Sequence, residues 1–151
     1  MMIKKIWLAL STVLMMTLCA PAAHGAGWFD VMSDGGETIS VSTDISSQDN
    51  GKSYLVWVRN SFITPQSREE YTRDRGYDKT VSYKLTLYKF NEDWKKFNIV
   101  QVAVYSEDGV PIDQYTNPDM DGTDNFIPPG STIEAVAEVA KVIYEITNNP
   151  E

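Results

Sequence analysis

The stretch Pro128-Pro129-Gly130-Ser131 followed by Thr132 to Ile146 constrains this chain most. Two prolines cannot continue a helix, and Gly130 frees the backbone before one begins. Ser131 is then a natural N-cap, with Glu134 three residues on completing an S-x-x-E capping box. Behind that start, Ile133, Val136, Ala137, Ala140, Ile143 and Tyr144 recur at helical spacing, and Val139, Val142 and Ile146 widen the stripe. A helix with so broad an apolar face needs a sheet or a partner against it. Lys141 is its only cation, so it has no basic face for a membrane surface. Asn148, Asn149 and Pro150 end it.

What precedes it reads as strands and turns. Trp28 to Met32 opens the pattern, Asp34-Gly35-Gly36 turns it, and Thr38 to Thr43 alternates apolar with hydroxyl residues. Asp44 to Ser47 breaks the alternation, and Asn50-Gly51 marks a tight turn into Lys52 to Arg59. That segment is the most apolar and suits a central strand covered on both faces. Val81 to Leu87 alternates again, with Val81, Tyr83, Leu85 and Leu87 expected on one side. Asn91-Glu92-Asp93 turns into the strand Phe97 to Tyr105, and Asp108-Gly109 turns into Val110 to Tyr115. Between Ser61 and Lys79 the chain is polar. There Ser67 and Glu70 suggest a second capping box and Gly76 a C-terminal stop, predicting a short helix from about Arg68 to Arg75. Its charges, Arg68, Arg73, Arg75 and Lys79 against Glu69, Glu70, Asp74 and Asp78, read as a solvated connector with local ion pairs. The expected fold is α+β: an antiparallel sheet of about five to six strands with one C-terminal helix packed on one face.

The first residues read differently. Lys4 and Lys5, the apolar run Ile6 to Leu18 and the small residues Ala20 to Ala26 make a secretory signal peptide. Cleavage is expected after Gly25, leaving one domain over residues 26–151. The apolar run is short for a transmembrane span, and Leu18 before Cys19 does not fit a lipobox. Cleavage removes the single cysteine, Cys19, and the single histidine, His24, and deepens a net charge that is already −8. So acidic a chain is poorly suited to nucleic acid or anionic membranes. With neither residue left, a Ser-His-Asp triad, a cysteine nucleophile and a typical zinc site are out of reach. No phosphate-binding glycine motif occurs, and no catalytic, cofactor-binding or metal positions are assigned. Asn117, Asp119 and Asp121 before Gly122 resemble half of a calcium loop. Pro128 holds the place of the bidentate glutamate, so a turn-rich connector is the expected reading.

The order of motifs resembles the bacterial surface-adhesin protein E family. The likeness lies in Trp28, Ile39 to Ser46, Asn50-Gly51, Leu55 to Val58, Val102 to Tyr105 before Asp108-Gly109-Val110, and Ile127 to Ser131. It spans nearly the whole chain after the leader and implies the same sheet-and-helix fold. It further implies an exported, non-catalytic binding domain of the cell envelope, an adhesin contacting host matrix or envelope proteins. The alternative is a periplasmic structural or small-ligand module. Haem is associated with the family, but no cofactor is expected here. The cysteine pair common in the family is absent, and Phe126 stands where tryptophan is common. An exposed aromatic patch using Tyr71, Tyr77 or Trp94 is the expected contact surface. A homodimer is a further expectation, through a sheet edge left open.

Overall fold

The computed structural model describes residues 27–119 and 122–149. The expected signal peptide and its cleavage site lie outside those residues, as does Asp121. Eight strands form one antiparallel sheet. They are β1 (Trp28–Asp34), β2 (Glu37–Ser42), β3 (Ser46–Gln48), β4 (Ser53–Phe62), β5 (Val81–Asn91), β6 (Lys96–Ser106), β7 (Pro111–Thr116) and β8 (Asn125–Phe126). Helix α1 (Pro65–Arg75) joins β4 to β5, and α2 (Thr132–Asn148) closes the described chain.

The main path runs β1-β2-β4-β5-β6-β7, with two short strands beside it. β2 pairs with the Val58 to Phe62 half of β4, and β3 with Ser53 to Leu55 of the same strand. They are two pieces of one sheet position, parted at Thr43 to Ile45, where the break in alternation that begins at Asp44 falls. β7 and β8 flank β6 in the same divided way. β4 is therefore central, as its apolar run predicts.

Directly opposed residues in an antiparallel sheet point to the same face. Asn60, Lys84 and Val104 are opposed in turn across β4, β5 and β6, so Val56, Val58, Phe62 and Val104 share a side. That side takes both helices. Val136, Ala137 and Ala140 of α2 pack on Val41, Val56, Val58, Phe90 and Trp94, and Tyr71 of α1 on the cluster of Phe62, Val81 and Val104. The opposite side holds another buried cluster, Trp57, Leu85, Leu87, Ala103 and Tyr105, drawn from strands alone. A β-bulge corrects the expectation for β5. One extra residue between Val81 and Tyr83 turns Val81 to the helical side, while Tyr83, Leu85 and Leu87 stay on the other.

Both helix starts differ in detail from the sequence reading. Thr64, not Ser67, caps α1: its Oγ1 accepts from the Ser67 amide at 3.1 Å. Ser67 Oγ accepts from the Thr64 amide at 3.2 Å and donates to Gly36 O at 2.9 Å. Pro65 sits in the first turn, where its missing N–H costs nothing. Gly76 ends the helix in the left-handed conformation, as expected. On α2, Ser131 Oγ accepts from the Glu134 amide at 3.2 Å. Glu134 Oε1, however, accepts from Gly130 N at 3.1 Å, because the Ser131 amide already donates to Pro128 O. The docked stripe of α2 is also narrower than its sequence suggests, with Val142 52% and Ile146 67% exposed.

Candidate binding site

Among the described residues, the helical side of the sheet includes two recesses. The larger, about 400 Å³, lies where the β5–β6 turn, β8 and α2 meet. Its turn is fixed by Asn91, whose Oδ1 accepts from the amides of Lys95 at 3.0 Å and Lys96 at 2.9 Å. Trp94 adopts a left-handed backbone, φ 61°, a conformation costly for a bulky side chain. The gain is packing. The indole stacks on Tyr54 at 4.4 Å and 14°, and Tyr54 meets Tyr144 of α2 edge-on at 4.8 Å. Trp94 is thus a core residue, 8% exposed, rather than part of an exposed aromatic patch.

Across the recess, the two residues of β8 pair with Lys96 and Phe97 and hold Phe126 outward, 72% exposed. The Lys96 ammonium sits 4.7 Å from the centre of that ring. Trp94, Ile127 and Ala137 supply apolar lining, and Asp93, Lys95, Glu138 and Lys141 bring charge of both signs. Glu138 lies one and two turns before Val142 and Ile146 on α2, so the exposed apolar residues continue away from the recess along the helix. The family resemblance marks Phe126 as standing where tryptophan is common, but nothing in the sequence placed it at a binding site. Its exposure follows from the short pairing of β8 with β6.

The smaller recess, about 270 Å³, lies between α1 and β5–β7. Tyr71 stacks on Phe62 at 4.5 Å and is half-buried, which again corrects the expected exposed patch. Arg75 and Lys84 approach the same ring at 5.4 and 5.7 Å. Tyr77, half-buried, donates its hydroxyl to Asp113 Oδ2 at 2.9 Å. Desolvation, with that bond and the Asp113 charge, pushes the Tyr77 phenol up to about 12. Burial lowers the Lys84 ammonium below the usual lysine range against the raising effect of Glu37, and Arg75 lowers it further. Burial likewise raises the Tyr71 and Tyr88 phenols.

The remaining candidates have structural roles. Arg68 pairs with Glu107 of the turn after β6 rather than within its own segment, and its Nε donates to Phe62 O at 2.7 Å. Only Arg73 and Asp74 form the expected local pair, at 3.6 Å and well exposed. Asn117 donates its amide to Ile99 O at 2.9 Å, while its Oδ1 accepts from the Asp119 amide at 3.0 Å. Its carboxamide therefore holds the strand end in a turn. Among the described residues no group of three His, Cys, Asp or Glu is placed to hold a metal ion. No helix among them is long and apolar enough to cross a membrane. The edge strand β1 carries a bulge between Asp30 and Met32, and β7 begins at Pro111; both devices oppose edge-to-edge pairing. No family model, curated protein or solved structure matches the chain.

Proposed function

We propose that this chain is an exported, non-catalytic binding domain of the bacterial cell envelope, of the surface-adhesin protein E kind, that holds a protein partner at the Phe126 recess. One observation carries the reading: Phe126, 72% exposed and turned with Lys96 to the face away from α2, borders a formed cleft whose α2 wall, Glu138 and Lys141, adjoins the exposed Val142. Exposed aromatic and aliphatic side chains near a pocket are what interface anchors look like before a partner arrives. The rigid turn behind the cleft, with Trp94 wedged under α2, presets the shape and lowers the ordering cost of binding.

The test is solid-phase binding of the purified domain to coated matrix proteins, with Phe126→Ala and Val142→Ser beside the parent. Loss of an interface anchor should weaken binding by about tenfold or more for Phe126→Ala. Equal binding by both variants, or no binding by the parent at about 10 μM, overturns the reading. The second reading, a periplasmic small-ligand module, draws on the cleft volume of about 400 Å³, which falls in the usual range for small-molecule sites. Export itself is tested by N-terminal sequencing of the protein from the periplasmic fraction, expected to begin at Ala26.

A further inference from the structure

Arg75 and Lys84 stand out among the charged residues of the helical side. Both converge on the ring of Tyr71, at 5.4 and 5.7 Å, and both line the recess between α1 and β5–β7. Among the described residues neither forms an ion pair; the cations that do are Arg68, Arg73 and Lys89. Yet carboxylates are near. Asp113 accepts from the Tyr77 hydroxyl on one oxygen and from the Gln114 amide on the other, at 2.9 Å each. Glu37 accepts from the Asn60 amide at 2.5 Å. The acids of this region are engaged with neutral donors, while two cations approach one ring.

Lys84 is half-buried, which disfavours its charge; Glu37 offsets part of that, and the like charge of Arg75 adds a smaller opposing effect. A cation drawn partly out of water needs a counter-charge or a hydrogen-bond acceptor, and a ring face replaces only part of that. An oxyanion placed between the guanidinium and the ammonium would meet donors from both and end their mutual repulsion. The recess floor is apolar, with Val102 and Val104 from β6, and Tyr115 stands 55% exposed at the side. A volume of about 270 Å³ admits a small organic molecule rather than a folded segment.

We propose that this recess binds a carboxylate carried on a small aromatic or aliphatic body, with Arg75 and Lys84 on the carboxylate and Val102 and Val104 under the body. A single negative charge suits the site better than a dianion, since the Asp113 carboxylate lines the same recess, Glu37 acts on Lys84 from nearby, and the chain carries −8 overall. The recess lies toward the open end of the β5–β6 hairpin, whereas the Phe126 cleft lies at its turn. Its occupancy is therefore separate from partner binding at Phe126.

The experiment is a chemical-shift titration of the isotope-labelled domain with benzoate, its neutral counterpart benzamide, and inorganic phosphate. Benzoate should shift the Tyr71, Lys84, Val102 and Val104 signals with a Kd of about 10 mM or tighter. It should bind at least about tenfold tighter than benzamide, and Lys84→Met and Arg75→Gln should each remove about tenfold. Arg73→Gln, on the outer face of α1, should leave binding unchanged. Because Lys84→Met changes a half-buried position, the exposed Arg75→Gln decides the matter if the first variant does not fold. Equal binding of benzoate and benzamide, tighter binding of phosphate, or no groove shifts at about 50 mM benzoate would each overturn the proposal.

Discussion

Val136→Ala tests the docking of α2 most directly. The side chain is 2% exposed and packs among Val41, Val56, Val58 and Phe90 on the helical side of the sheet. Removing two methyl groups forfeits about 1.6 kcal/mol of transfer free energy at roughly 0.8 kcal/mol each. A residual void of roughly 40 Å³ adds about 1 kcal/mol. Alanine is the better helix former by about 0.5 kcal/mol, which offsets part of the loss. The net expectation is about 2 kcal/mol, or roughly 8 °C in Tm for a domain of this size. Val142→Ala is the internal control. It makes the same chemical change on the same helix where the side chain is 52% exposed, so it should be neutral or stabilising by about 0.5 kcal/mol. Urea titrations read by circular dichroism, with calorimetry for Tm, measure both. A similar loss in the two variants, or a Val136→Ala loss under about 0.5 kcal/mol, would mean that α2 does not present this stripe to the sheet.

Ala140, fully buried on the same stripe, should tolerate Asp poorly, with a loss on the order of 4 kcal/mol at neutral pH. That loss should shrink toward pH 4 as the buried carboxyl takes up a proton, checked by chemical denaturation across pH. Gly36→Ala should cost about 2–3 kcal/mol, since φ is +80° and the new Cβ would meet the Thr64 cap oxygen at 2.6 Å. Gly35→Ala, at φ +58° with open space around it, should cost only about 1 kcal/mol in the same melt. Tyr77 has its folded pKa raised from 10.0 to about 12, so its stabilising contribution holds below pH 10 and is lost as pH rises through 12. Tyr77→Phe should therefore flatten, without abolishing, the alkaline decline in stability, because Tyr71 and Tyr88 are raised in the same direction. An identical decline in parent and variant would contradict the Asp113 bond.

Much of the scaffold follows from local rules that need no distant contact. Alternation placed β2 and β5, a continuous apolar run placed β4, the Asn50-Gly51 and Asp108-Gly109 turns placed the reversals, and Ser131 placed the start of α2. These signals act within a few residues, so they survive being read one stretch at a time. Long-range geometry decided the rest. Whether Thr64 or Ser67 caps α1 depends on the Ser67 hydroxyl reaching Gly36 O, a partner thirty-one positions away. The bulge that turns Val81 toward Phe62 exists only in the pairing of β5 with β6. Trp94 sits in a charged turn and reads as exposed, but a left-handed φ and the ring of Tyr54 bring it under α2. Phe126 is marked in the sequence only as replacing a family tryptophan, until β8 pairs with β6 and leaves the ring in water. Charge shows the same division: the sequence pairs Arg68 and Arg75 with acids of their own segment, whereas the fold gives Glu107 to Arg68 and leaves Arg75 with a tyrosine ring. Propensity and period belong to a segment, but exposure, pairing and recess shape belong to whichever segments the tertiary fold brings together.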